Sequence, residues 1–371
     1  MDSSPAESGE GRFQIHSSTM AIDAVSARSG VASGEDASEP DFLHQLGMST
    51  LRVPRPFVLT KLGQVTKLAW ESHQTPMSGV SRKPIAVGDG ELGIMFQGHS
   101  SFLLQFGDPN GGKHVLIDPV FATRLVVLRR QRKPGIRIED LPPIDVVLLT
   151  HAHMDHLNRP TLRLVARATR KKTGKAPIAI VPNGVEDLVE GLGFSEVRSL
   201  TWWQHTEAAG LRITLTPAKH WGARMFSDTH RLFGGYVVED RSGQRIYHSG
   251  DTAYFDGFRE IGRRLHPQVA LLPIGAYFPD SYRAVHTSPE EALQGFVDLD
   301  ADLMIPMHFG TFPLGREPME EPPVRLIEDA RRRGLEDRVQ ILAEGETLVV
   351  PAQDDTDLKS PFPPAAASNR V

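Results

Sequence analysis

From Leu92 onward the chain alternates or clusters apolar residues in short runs, cut by Gly, Asn and Pro, which is the pattern of strands joined by turns. Runs at 93–97, 101–106, 114–118, 145–150, 178–181, 211–216, 234–239, 245–249, 269–274, 303–307 and 340–343 are read as strands. Helical spacing falls between several of them, at 160–171, 185–192, 255–264, 288–299 and 323–333. The start at 288 is the best signalled, because Ser288 can cap it, Pro289 fits its first position and Glu291 can complete a capping box. Strands interspersed with helices predict a layered α/β domain over 88–352.

Upstream the pattern fades. Residues 1–40 are rich in Ser, Ala, Gly, Asp and Glu and poor in large apolar side chains, so they are read as a disordered tail. In 41–87, Phe57, Val58, Leu59, Leu62, Leu68 and Trp70 indicate a segment packed on the main domain, of unassigned conformation. Residues 353–371, rich in Pro and Ala, are read as a flexible tail.

Composition narrows the chemistry. The 371 residues include no Cys, so disulfides and thiolate metal sites are excluded and any metal must be held by imidazole and carboxylate. With 41 basic and 46 acidic residues the formal charge is -5, which gives no global bias toward nucleic acid, and none is expected as a partner. The first residues lack the basic start and apolar stretch of a secretory signal, and no apolar run approaches membrane-spanning length. The expectation is a soluble cytoplasmic protein, with a homodimer left open. One stretch qualifies this: Arg124, Arg129, Arg130, Arg132, Lys133 and Arg137 surround the apolar 125–128, a composition suited either to peripheral membrane contact or to a solvated charged loop.

The chemistry concentrates where the apolar run 146–150 passes directly into His151-Ala152-His153-Met154-Asp155-His156. Alternate residues of an extended segment share a face, so His151 and His153 can grip one metal while Asp155 and His156, past the bend, serve a second. A polar surface turn is the plain alternative, and four ligand-type residues in six positions argue against it. Three further candidates, His220, Asp251 and His308, each lie at or just past the end of an apolar run, where function gathers in α/β folds. Taken singly, each has an ordinary reading: a loop histidine, a turn aspartate in Ser249-Gly250-Asp251-Thr252, a core histidine. Together they complete the ligand count.

In these residues the sequence resembles the metallo-β-lactamase superfamily. The resemblance implies a four-layer αβ/βα sandwich, with His151, His153 and His220 on one metal, Asp155, His156 and His308 on the other, and Asp251 bridging. It also implies that Asp118, in Leu116-Ile117-Asp118-Pro119, supports the metal loop from behind, though a strand-end turn accounts for it equally. A narrower likeness is to the phospholipases D that hydrolyse N-acylphosphatidylethanolamine and their bacterial relatives. It is carried by Gly98-His99, Asp118-Pro119-Val120-Phe121, His220-Trp221 with Arg224, Gly250-Asp251-Thr252, Gly275-Ala276-Tyr277, Pro289-Glu290-Glu291-Ala292 and His308-Phe309-Gly310-Thr311. Departures are Ala152, Met154 and Asn158 in the metal loop and Phe278-Pro279-Asp280 after Tyr277, none of which is a metal ligand.

The implied activity is a phosphodiesterase of phospholipase D type with two divalent ions, zinc by default and manganese or iron as alternatives. Two such ions hold a hydroxide at neutral pH and stabilise both attacking and leaving oxygens. Asp155, Asp251 and His286 are the expected catalytic residues, His286 as proton donor or oxyanion contact, with a structural helix-entry role as its alternative. His99, Tyr277 and Arg224 are the expected substrate contacts, although a turn between two strands also explains His99. Two other functions stay open: hydrolysis of an ester, lactone or amide on the same metals, and a non-catalytic metal-binding protein, which seven intact ligands disfavour. A redox di-iron role is disfavoured too, since that branch usually carries Glu for the second loop His and needs a flavin partner domain.

Overall fold

A computed structural model of the chain describes residues 62–352 except Asn110, Phe226 and Ser227. The expected tails at 1–40 and 353–371, and Phe57, Val58 and Leu59, lie outside the described residues. Helix α1 (Leu62–Gln74) supplies the conformation that the sequence pattern left open at Leu68 and Trp70.

Seven strands form the first sheet in the order β15-β1-β2-β3-β6-β7-β8: β1 (Leu92–Gly98), β2 (Ser101–Phe106), β3 (Lys113–Ile117), β6 (Val146–Leu148), β7 (Ile178–Pro182), β8 (Glu196–Leu200) and β15 (Thr347–Val350). Six form the second in the order β14-β13-β12-β11-β10-β9: β9 (His205–Ala208), β10 (Leu211–Thr216), β11 (Gly235–Glu239), β12 (Arg245–His248), β13 (Val269–Pro273) and β14 (Leu303–Met307). The two-residue strands β4 (Arg124–Leu125) and β5 (Leu128–Arg129) make a separate hairpin.

Alternation along the strands explains the layering. Ile94, Leu104, Ile117, Leu148 and Ile180 of the first sheet share one core with Ile213, Tyr236, Ile246, Leu271 and Ile305 of the second. Their neighbours, pointing the other way, meet helices. Met95, Leu103, Leu116, Val147 and Val181 pack with Leu162 and Val165 of α2 (Arg159–Thr173) and Val189 of α3 (Glu186–Val189). Val237, Tyr247, Ala270 and Met304 pack with α4 (Gly257–Leu265), α5 (Pro289–Leu299) and α6 (Glu321–Arg332) through Phe258, Phe296 and Leu326. Central strands apolar on both faces are what a sheet covered on both sides requires. The result is the expected αβ/βα four-layer sandwich.

The α5 start has its full capping box, with Ser288 accepting from the Glu291 amide and Glu291 accepting from the Ser288 amide. Pro306 is tolerated inside β14 because that strand is the sheet edge. Segment 340–343 is not a strand: after a single bridge from Val339 to Met304 it sends Ile341 and Leu342 to different cores, and the strand forms later, at β15. Strands β8 and β9 escape the hydrophobic pattern because they are edge strands carrying exposed polar residues such as Glu196, Ser199, His205 and Glu207. The helix expected over 185–192 shrinks to one turn, its last residue giving way to extended backbone at Glu190.

Part of the basic stretch is committed to partners within the protein. Arg130 is 0% exposed, with Nε donating to Arg132 O at 2.7 Å, Nη1 to Val120 O at 2.7 Å and Nη2 to Gln97 O at 3.2 Å. Arg132 pairs with Glu320 and Glu344, and Arg137 with Asp140. Arg130 therefore cannot serve a membrane surface, and what the stretch does present is Arg124, Val126, Val127, Lys133 and Arg137. Among the described residues no helix is long and apolar enough to cross a membrane. Arg130→Ala should cost at least about 3 kcal/mol by deleting a fully buried side chain together with its three hydrogen bonds, whereas Arg124→Ala should stay within about 0.5 kcal/mol. Denaturant unfolding of both variants checks this; equal midpoints would contradict the buried role.

Candidate metal centre

Strands β1, β3 and β6 run parallel to one another in the first sheet, as do β10, β12, β13 and β14 in the second. Site residues follow the C-terminal ends of six of these: His99 after β1, Asp118 after β3, the His151–His156 loop after β6, His220 after β10, Asp251 after β12 and His308 after β14. The loop after β6 is short because Leu157 N bonds back to His153 O at 2.8 Å and Asn158 at once caps α2. At Gly275 an added Cβ would lie 2.1 Å from the His308 carbonyl, so only glycine lets the chain leaving β13 pass this close.

Two clusters result. In the first, His151 Nε2 lies 2.9 Å and His220 Nε2 3.3 Å from His153 Nδ1. In the second, the Asp155 carboxylate oxygen Oδ2 lies 3.6 Å from both His156 Nε2 and His308 Nε2. Asp251 Oδ2 stands between them, 3.0 Å from His308, 3.2 Å from His156, 3.9 Å from His220 and 4.0 Å from His151. All seven expected ligands are thus brought together.

Hydrogen bonds on the far side of the rings turn lone pairs inward. His156 Nδ1 donates to Asp118 Oδ2 at 2.7 Å, and His220 Nδ1 to Val285 O at 2.8 Å. His151 Nδ1 is 3.0 Å from the Thr150 hydroxyl, which itself donates to Asp118 at 2.6 Å. Asp118 therefore orients one ring in each cluster, which settles in favour of support the choice that the sequence left even.

The donor set fits divalent cations. Buried His156 Nε2, His308 Nε2 and Asp251 Oδ1 have no hydrogen-bond partner, an expensive state unless something positive joins them. Imidazole nitrogens on one tetrahedral zinc at about 2.0–2.1 Å would stand about 3.3 Å apart. Burial holds His151 and His220 well below the ordinary imidazole value and His153 at about 4, so these three rings keep their lone pairs. At His308 burial is outweighed by Asp251 and Asp155, which raise it to about 9, and His156 is likewise raised, chiefly by Asp251. Burial opposes ionisation of Asp155 and Asp251 as well, and the adjacent His156 overrides it, keeping both well below the usual carboxylate range. The two carboxylates demand positive charge beside them.

His286, at the entry to α5, has a buried, unpartnered Nδ1 3.9 Å from Asp251 Oδ2 and lies against the His220 and His308 rings. The three residues expected to touch substrate have other partners. His99 Nε2 lies 3.0 Å from Asp155 Oδ2, Tyr277 donates its hydroxyl to Glu321 at 2.7 Å, and Arg224 Nη1 braces the metal loop through Ala152 O at 2.7 Å and Leu157 O at 2.9 Å. Sequence reading missed Thr150, visible as the residue between strand and motif. It also missed His248, whose Nε2 donates to Ser100 O at 2.9 Å while its Nδ1 accepts from Gly250 N at 3.1 Å, tying the turn after β1 to the turn before Asp251.

The Beta-lactamase superfamily domain model matches residues 113–309. The chain is 31% identical over 250 residues to the mitochondrial N-acyl-phosphatidylethanolamine-hydrolyzing phospholipase D of Saccharomyces cerevisiae, covering 64% of this chain and 52% of that protein. It is 32% identical over 258 residues to a UPF0173 metal-dependent hydrolase of Methanopyrus kandleri, covering 68% of this chain and 98% of that one. Among solved structures, the metallo hydrolase Igni18 of Ignicoccus hospitalis superposes with a TM-score of 0.54 at 26% identity, covering 71% of this chain and all of that one. The chain spans about half the length of the yeast relative, and 63% of uncharacterized mycobacterial ones.

Asp118→Ala removes the acceptor behind His156 and the carboxylate that orients the Thr150 hydroxyl behind His151, so divalent-metal affinity should fall about 10–100-fold at both clusters. Chelator competition measures this, and wild-type affinity in a folded variant would contradict it.

Proposed function

We propose, on the premise that this chain belongs to the β-lactamase superfamily of metal-dependent hydrolases, that it is a phosphodiesterase of phospholipase D type acting on N-acylphosphatidylethanolamine-like lipids. The observation that carries the reading is Asp251 Oδ2, within 4.0 Å of imidazoles from both clusters, the place of a ligand shared by two cations. His151, His153 and His220 would hold one ion and Asp155, His156 and His308 the other, with zinc favoured by the imidazole-rich first set. Bound there, a divalent pair supplies a nucleophile at neutral pH and neutralises charge on a phosphodiester's oxygens.

The protein's own residues supply position. Asp118 and Thr150 fix the rings, Arg224 clamps the loop carbonyls, and His286 aims an uncommitted nitrogen into the space beside Asp251. That nitrogen is set to meet charge developing on a substrate oxygen. In the overall reaction water adds to phosphorus, the phosphorus–oxygen bond to the ethanolamine side breaks, and the departing alkoxide takes up a proton. Phosphatidic acid and an N-acylethanolamine result.

A lipid is supported by the exposed apolar tip of a hairpin anchored in an apolar cluster beside the metal loop. Val120, Leu125 and Phe312 are buried there, packed by Met154 from the loop itself and by Ala122 and Leu314. At the tip of the β4–β5 hairpin Val126 and Val127 are 73% and 46% exposed next to exposed Arg124, a composition suited to touching an anionic bilayer from the cytoplasmic side. The relative of Saccharomyces cerevisiae is named for this activity.

The test is release of phosphatidic acid from N-acylphosphatidylethanolamine vesicles by metal-loaded protein, with metal-stripped protein as control. Metal-dependent release is expected, and His286→Ala should lower kcat about 10²–10⁴-fold with metal content unchanged. No release from fully loaded protein would overturn the lipid assignment and direct the search to soluble phosphodiesters, esters and lactones.

A further inference from the structure

His99 directly follows β1 in the left-handed region, at φ 60°, and is 1% exposed. Its turn is pinned on three sides. The His99 amide donates to Thr311 Oγ1 at 2.7 Å, its carbonyl accepts from the His308 amide at 2.8 Å, and the carbonyl of Ser100 accepts from His248. The ring sits against His308 at 4.2 Å and against the edge of Phe312 at 5.4 Å, which leaves it little freedom to rotate. Its Nε2 is 3.0 Å from Asp155 Oδ2, and it lies close enough to His156 and His308 to be counted as another ligand of the second cluster.

The other ring nitrogen decides between ligand and donor. Nδ1 is buried and has no hydrogen-bond partner. A neutral imidazole has one N–H. On Nδ1 that hydrogen would be a buried donor with no acceptor, and the lone pairs of Nε2 and Asp155 would face each other at 3.0 Å. On Nε2 it meets a carboxylate, and only a lone pair goes unsatisfied at Nδ1. The hydrogen therefore belongs on Nε2, which then has no lone pair for a cation.

We propose that His99 is a positioning residue for the second metal: its Nε2–H donates to Asp155 Oδ2, holds that carboxylate in the ligating rotamer, and so sets the affinity of the Asp155–His156–His308 cluster without binding the ion. The strained backbone and the three pins fix the direction of that donor. This role rests on the two-metal reading above.

Zinc binding to the full chain tests it by chelator competition, which resolves the tight and the weak equivalent without any activity assay. His99→Gln keeps an N–H donor; His99→Met fills the space without one. The Met variant should bind the second equivalent about 10–100-fold more weakly with the first unchanged, and the Gln variant should stay within about threefold of wild type. A Met variant equal to wild type, or a Gln variant as weak as Met, would overturn the role, the latter in favour of direct ligation. If the Met variant does not fold, the Gln variant decides: retention supports a donor, loss overturns it. Wild-type protein that takes up only one equivalent would sink the two-metal reading itself, and this role with it.

Discussion

A carboxylate oxygen buried among five imidazoles constrains this protein more than any other contact. Asp251 Oδ2 has ring nitrogens of His308, His156, His220, His286 and His151 within 3.0 to 4.0 Å. An uncompensated buried carboxylate costs several kcal/mol, so those rings and any cations they hold must stay in place for the charge to be tolerated. They arrive from the ends of β6, β10 and β14 and the entry to α5, which belong to two different sheets and one outer helix layer. The sandwich is what holds these ends at fixed separation: the shared core between the sheets reaches them, with Leu148 and Met307 the last residues of β6 and β14 and Leu215 the last but one of β10.

Holding the ends is not enough, because each ring must also face inward. Three residues at the site, His99, Asp118 and His308, adopt left-handed backbone at φ 60°, 42° and 60°, each a strain of order 1 kcal/mol or more for a side-chain-bearing residue. Asp118, strained in this way, orients His156 directly and His151 through the Thr150 hydroxyl. His248 works across the sheets, gripping the turn after β1 with one ring nitrogen and the Asp251 turn with the other. The metal cluster and the fold thus share their hydrogen bonds, and loosening one loosens the other.

Much of this was legible in the chain. Strands buried on both faces announce themselves as apolar runs, and the dense loop 151–156 and the isolated His220, Asp251 and His308 stand out because each follows such a run. What stayed hidden has physical reasons. Edge strands β8 and β9 are polar where they meet solvent, and 340–343 alternates to reach two cores rather than to form a ladder. A basic sequence around 124–137 does not reveal that Arg130 turns inward to carbonyls set far apart in the chain. Side-chain direction was the least readable of all: Tyr277, Arg224 and His99 are adjacent to the site in sequence pattern, and their polar atoms are committed to Glu321, to the loop backbone and to Asp155.

Whether two cations share Asp251 is visible in crystals of the zinc-loaded protein by anomalous scattering. Two peaks about 3.5 to 4 Å apart are expected, one beside His151, His153 and His220 and the other beside Asp155, His156 and His308, with Asp251 between them. A single peak at full zinc loading, or two that do not flank Asp251, would contradict that sharing.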